Sequence, residues 1–259
     1  MPQKGNHKND VHQPLTVNNF FLVFREFVTA WLNEILYYNR VYDPLIFDDY
    51  KAFEILIHKN RHPHLSEYID DFVLNVINNL IISKKQLNGL QSISCSIYDT
   101  ESESVVKVYT IKFTQFIVNL DKTITELKED LINDTSASLN VPDLTWREIH
   151  TQFQTVLFKH SQQLKKDAET VFVSSSSSSS SSSNLNSGDT TRSTGNDFFF
   201  KITVDLDALV YPKSCDWVRL EKNLKSKEEV FETTAKLKTC GELDLSVLSF
   251  DLVNTYFSE

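Results

Sequence analysis

The chain reads as an α+β fold, with three amphipathic helices packed on one mostly antiparallel sheet. Three observations carry that reading. Apolar residues recur at helical spacing in three separate stretches. Strand-like alternation clusters in the segments between and after them. Three long apolar helix faces need one common surface to cover. The composition agrees: 259 residues, 41% hydrophobic and 24% charged, is that of an ordinary folded protein. A chain of this length buries roughly 70% of the surface its unfolded form exposes.

The first helix is predicted over 18–38. Phe20, Phe21, Val23, Phe24, Phe27, Val28, Trp31, Leu32, Ile35 and Leu36 give it a wide apolar face, and Thr16, Asn18 or Asn19 can cap it. The segment Val41-Tyr42-Asp43-Pro44 stops it, because proline forces its predecessor out of the helical region. A second helix is predicted over 64–82, entered through His62-Pro63 and patterned by Leu65, Tyr68, Ile69, Phe72, Val73, Val76, Ile77 and Leu80. A third is predicted over 144–167. It opens with Thr145-Trp146-Arg147-Glu148, a capping-box pattern, and continues through Ile149, Phe153, Val156, Leu157 and Leu164.

Between the second and third helices, Ile93, Cys95 and Ile97 alternate with serines. The polar turn 99–103 then leads to a β-branched run over 105–113, which reads as a hairpin. Residues 114–143 read as an irregular connection. Ten consecutive serines, Ser174 to Ser183, cannot bury enough apolar area to offset their ordering entropy and are expected to be disordered. Such a tract is either a drifting low-complexity insertion or a phosphorylated regulatory segment. Phe198, Phe200, Ile202 and Val204 alternate as a strand, and Trp217 to Leu220 is a short strand candidate. A last strand runs through Leu243 to Leu252, with a phase slip at Val247-Leu248 that suggests a bulge or bend.

The chemistry visible in the sequence is sparse. No phosphate-binding glycine loop, nucleophile elbow or zinc-protease motif occurs. Cys95, Cys215 and Cys240 are far apart and form no CxxC pair, so a disulfide framework is not implied and a reducing location fits. His58, His62 and His64 lie close in sequence, but a polar loop explains them more simply than a metal. Asp205 and Asp207 could be paired carboxylates and more simply line a solvated face. No cofactor is expected. Net charge −9 argues against gripping nucleic acid through its phosphates. Residues 1–15 are polar and read as a disordered tail without a secretory signal, and no apolar run is long enough to span a bilayer. Trp217, flanked by Asp216 and Arg219, is either core or an interface anchor.

Two segments carry a family resemblance. Ile35 to Phe47 (ILYYNRVYDPLIF) and His62 to Ile69 (HPHLSEYI) resemble the "ILY-x-R-x-VYP-x-x-IF" and "HP-x-L-x-x-YI" segments of the HORMA-domain accessory subunits of DNA polymerase zeta. Asp216-Trp217-Val218-Arg219 and Leu237-Lys238-Thr239 resemble shorter segments nearer the family's C-terminal end, in the same order. Asp43 stands where the animal pattern has proline, and Gln154 stands where animal members carry an arginine used for dimerisation.

The resemblance implies a single HORMA domain over 16–259, with the serine-rich stretch 174–197 as an insertion and a C-terminal safety belt over 205–259. It implies an adaptor, not an enzyme, acting in error-prone translesion synthesis in the nucleus and also in the cytoplasm. Its partners would be a proline-containing peptide of the catalytic subunit, a Y-family scaffold polymerase and a HORMA-remodelling AAA+ ATPase, with no membrane and no direct nucleic acid. Tyr42, Tyr68 and Trp217 match positions that line the family's peptide groove. The alternatives are a HORMA protein of spindle-checkpoint or meiotic-axis type and, from another class, a small hydrolase whose site is assembled only in space.

Overall fold

The computed structural model describes residues 15–77, 90–116, 139, 141, 144–176, 197–206, 218 and 234–258. Its elements are α1 (Val17–Tyr38), β1 (Phe47–Ala52), β2 (Ile55–Asn60), α2 (Pro63–Asn75), β3 (Leu90–Asp99), β4 (Val105–Phe116), α3 (Trp146–Ser176), β5 (Phe198–Leu206), β6 (Thr234–Leu245) and β7 (Leu248–Ser258). Strands β5-β3-β4-β7-β6 form one sheet in that order, every neighbouring pair antiparallel. The expected α+β class is what the chain adopts, with three α-helices and an antiparallel sheet among the described residues.

Helix α1 is enclosed on nearly all sides. Phe20, Phe24, Phe27, Trp31, Leu32, Ile35 and Leu36 are fully buried. Phe27 is a hub: its ring centroid lies 5.3 Å from Phe250 of β7, 5.0 Å from Phe153 of α3 and 6.5 Å from Phe53 at the tip of the β1–β2 hairpin. Tilted and edge-to-face contacts at such distances add to the burial itself. The helix is capped as its sequence suggests, with Asn19 N–H donating to Thr16 Oγ1 at 3.2 Å. It ends in a Schellman arrangement, Val41 N–H to Leu36 O at 3.2 Å and Arg40 N–H to Tyr37 O at 3.1 Å, with Arg40 at φ 52°.

An enclosed helix must satisfy its polar side chains from other elements. Glu34 is 0% exposed. Its carboxylate accepts the His58 backbone N–H at 2.7 Å and the Ser161 hydroxyl at 2.5 Å, and lies 2.8 Å from His58 Nδ1. One residue earlier, Asn33 Oδ1 accepts from the Asn60 backbone N–H at 3.0 Å and from Asn60 Nδ2 at 2.7 Å. Ser66 of α2 then donates to Asn60 Oδ1 at 2.9 Å. Residues 33 and 34 thus clamp β2, α2 and α3 to α1.

Several sequence expectations are corrected. The β1–β2 hairpin was not foreseen: Asp48 to Lys51 are all exposed and show no alternation, and its turn residues Phe53 and Glu54 take φ 47° and 60° without glycine. The supposed bend at Val247-Leu248 is a chain reversal between two paired strands, with Leu245 opposite Leu248, and a reversal shifts the apolar phase as a bulge would. Helix α3 continues past the expected end at 167 to Ser176, so the first three serines of the run are helical; no glycine or proline intervenes to stop it. Residues 78–82, 117–138 and 177–196 lie outside the described residues. The capping box is half formed: Glu148 N–H donates to Thr145 Oγ1 at 3.1 Å, while the Glu148 carboxylate accepts from Gln152.

Two predictions follow from these buried polar groups. Glu34→Ala leaves the donors of His58 and Ser161 buried without their acceptor and is expected to cost about 3–5 kcal/mol in urea unfolding; a loss below about 1 kcal/mol would show that the clamp contributes little. His160 of α3 is 0% exposed between Trp31 and Tyr109, and both ring nitrogens lack a hydrogen bond although Asn254 faces them. Burial pushes its pKa down to about 4. The unfolded chain therefore binds this proton first. The neutral ring's contribution is complete above about pH 6.5, declines as the pH falls towards 4 and is flat below, about 3 kcal/mol in total. Unfolding curves of the protein and of His160→Phe between pH 7 and 4 should diverge by that amount.

Candidate functional site

The site grows from two chain exits. The Schellman stop of α1 turns the chain through Arg40, and a short 3-10 turn (Pro44–Ile46), capped by Asp43 Oδ1 on Leu45 N–H at 2.9 Å, returns it to β1. Tyr42 stands on this corner, 38% exposed. Arg61 anchors the corner to the start of α2 by donating to Leu45 O through its guanidinium at 2.7 Å and to Ile46 O through its N–H at 2.9 Å. Tyr68 follows on α2, two residues after the clamped Ser66, and is 48% exposed.

Both tyrosines converge on Phe200 of β5. The ring centroids of Tyr42 and Phe200 are 6.2 Å apart at 71°, and those of Tyr68 and Phe200 are 6.0 Å apart at 75°. Phe200 pairs with Ile97 and packs against the core with Phe198, Ile202 and Val204. Partial burial raises the pKa of both phenols, and the neighbouring Cys95 and Tyr42 push that of Tyr68 further in the same direction. The three rings form an aromatic ledge.

The ledge lies at a free sheet edge. β5 pairs only with β3, so one side of it carries no strand partner among the described residues. An edge strand offers unpaired N–H and C=O groups to any extended chain that aligns with it. The last residue of β5, Leu206, lies on this edge, and the next described strand, β6, starts at Thr234 on the opposite one. Four strand spacings, about 19 Å, separate the two edges.

Two of the three expected residues are therefore together. Trp217 lies outside the described residues, and its neighbour Val218 is 84% exposed. The sequence pattern marks Phe200 as a strand residue and not as part of a site, because alternation shows which face a residue takes, not whether its strand is an edge. His58 is turned away from His62 and His64: it stacks on Tyr37 at 3.4 Å and binds Glu34. No group of three metal-ligating side chains occurs among the described residues. Asp205 is exposed on β5, and Asp207 lies outside the described residues. A cavity of about 240 Å³ elsewhere, between α1 and the β1–β2 hairpin, includes Arg25, Thr29, Tyr50 and Lys59 in its lining.

Phe200→Ala removes the ring that both phenols rest against. The variant is expected to lose about 1–2 kcal/mol of stability. Its tyrosine absorbance titration should move towards the ordinary phenol range as Tyr42 and Tyr68 become more exposed, and an unchanged titration would argue against the ledge.

No family model matches the chain. Over 122 residues it is 28% identical to the DNA polymerase zeta processivity subunit of Saccharomyces cerevisiae, an alignment covering 45% of this chain and 46% of that protein. The match thus spans about half the length of the curated relative. Among solved structures, a chain of the mitotic checkpoint complex superimposes with TM-score 0.57 at 13% identity, covering 92% of this chain and 98% of that one. C. elegans HTP-2 bound to HTP-3 closure motif 1 gives 0.54 at 9% identity, covering 98% and 97%. HTP-2 bound to a HIM-3 closure motif gives 0.52 at 10%, covering 92% and 89%. At these identities the structural likeness speaks for the fold alone. The chain has the HORMA fold, and in sequence it resembles the polymerase zeta processivity subunit.

Proposed function

We propose that the chain is a non-catalytic adaptor subunit of DNA polymerase zeta in error-prone translesion synthesis. It holds a proline-containing peptide of the catalytic subunit as an added strand on β5. The convergence of Tyr42 and Tyr68 on Phe200 at a free edge carries this reading. Edge backbone groups supply affinity, and aromatic faces suit proline rings because both are stiff and apolar. The segment after Leu206 has to travel from the β5 edge to the β6 edge, which makes it the natural strap over a bound peptide. Trp217 lies in that segment and would close the ledge from above. A strap slows dissociation because escape requires it to move. Bridging to a Y-family polymerase, opening by an AAA+ ATPase and a nuclear location belong to the same reading.

The sequence likeness to a zeta subunit supports this choice of branch. A second reading, a checkpoint or meiotic-axis type of HORMA protein, is compatible with the same fold. Fluorescence anisotropy separates them, using the catalytic subunit's proline-containing segment and a checkpoint-type peptide as probes. Tight, slow binding of the first alone is expected. Tyr68→Ala and Trp217→Ala should each weaken it by about 2 kcal/mol, roughly 30-fold. Binding of the checkpoint probe alone would move the protein to the second reading, and normal binding by both folded variants would remove the site.

A further inference from the structure

We infer that Thr100 is a phosphorylation site whose modification loosens the start of β5. Thr100 is exposed in the turn between β3 and β4. Its N–H donates to Asp197 O at 2.9 Å, and its hydroxyl donates to the same carbonyl at 2.6 Å. These bonds carry the β3–β5 pairing one step beyond Asp99 and Phe198 and fix the residue from which β5 starts. The other turn hydroxyls make local bonds instead: Ser102 Oγ is 3.0 Å from Asp99 Oδ1 and 2.8 Å from Ser104 Oγ. Thr100 is therefore the turn hydroxyl joined to β5.

Acidic residues flank it in sequence and across the pairing: Asp99, Glu101 and Glu103 in the turn, and Asp197 opposite. Charge complementarity directs such a turn to a protein kinase with a basic substrate cleft. The transfer forms a bond between Thr100 Oγ1 and the γ-phosphorus of ATP. It breaks the bond from that phosphorus to the bridging oxygen, ADP leaves with the electron pair, and the hydroxyl proton passes to the kinase's base. The ester has no hydrogen to donate, so the 2.6 Å bond is lost. It also adds nearly two negative charges beside the carboxylates. The opposing candidate is Lys201, whose ammonium lies 4.7 Å from the Tyr98 ring centroid and 5.6 Å from that of Phe199. A swing of Lys201 onto the phosphate would tighten β5 instead.

Phe200 stands three residues after Asp197, so loosening here reaches the aromatic ledge. That consequence for peptide release rests on the adaptor reading; the loosening itself does not. The test treats the full chain, and Thr100→Val, with an acid-directed serine/threonine kinase and Mg-ATP. Modified positions are mapped by mass spectrometry, hydrogen exchange is followed across β5, and dissociation of the proline-containing probe is timed. The expected result is phosphate on Thr100, exchange at Phe198 to Phe200 faster by about tenfold, and probe release faster by a similar factor. Treated Thr100→Val should show no kinase-dependent change. An unmodified Thr100 overturns the proposal, as does unchanged or slower exchange on phosphorylation, or a kinase-dependent change of equal size in Thr100→Val. A probe that never binds the untreated protein tells against the adaptor reading, and the exchange result still decides this one.

Discussion

A carboxylate with no exposed surface sets the terms for the rest of the molecule. Glu34 sits inside because α1 is covered by the sheet on one side and by α3, α2 and the β1–β2 hairpin on the others. A buried carboxyl group is tolerable only with hydrogen-bond partners held around it, and three come from β2 and α3. Asn33 extends the requirement to Asn60 and, through it, to Ser66 at the start of α2. The position of Tyr68 is therefore decided two residues away from a hydrogen-bond chain that begins near the C-terminal end of α1. Tyr42 depends on the same helix through its C-terminal stop. The ledge is a surface feature whose geometry is fixed by polar atoms in the interior.

How much of this the sequence reveals follows from which forces are local. The helices are legible because a 3.6-residue period is imposed by burial of one face, and Phe20, Phe24, Phe27 and Trp31 repeat it directly. The β1–β2 hairpin is not legible. Its first strand, Phe47–Ala52, exposes four consecutive residues, and the hairpin is held through Phe53, Ile57, His58 and Asn60 by contacts to helices distant in sequence. The reversal at Ser246-Val247 lacks glycine, asparagine or proline, so only a shift of apolar phase marked it, and a bulge leaves the same mark. Tyr42 and Tyr68 emerged from resemblance to short segments, whereas Phe200 needed the strand order, which no local pattern encodes.

The two edges of the sheet are treated differently. β6 presents Ala235, Lys236 and Leu237 exposed, and lysines on an edge discourage an uninvited strand. β5 presents a run of three phenylalanines and Ile202, with Lys201 folded over the rings of Tyr98 and Phe199. Aggregation pressure should remove such an edge unless something covers it. The aromatic composition of β5 and its place at the edge of the described sheet agree with the proposed use of that edge for an extended segment.

Preorganisation decides how well a receptive edge performs. A flexible ledge would lose side-chain entropy on closing over a peptide, roughly 0.5–1.5 kcal/mol for each rotamer-rich group. Tyr42 and Tyr68 are already held against Phe200 at near-perpendicular angles, with their phenols partly withdrawn from water. Much of that ordering is met during folding, by the clamp at Asn33 and Glu34 and by the helix stop at Arg40. In the proposed binding mode a peptide would meet rings already in place and add its own backbone to an edge of fixed register. The acidic balance of the chain has no part in this contact, which depends on apolar faces and main-chain pairing. The interior polar network and the exposed aromatic ledge are thus two ends of one design: the first removes conformational choice, so that the second can bind by complementarity.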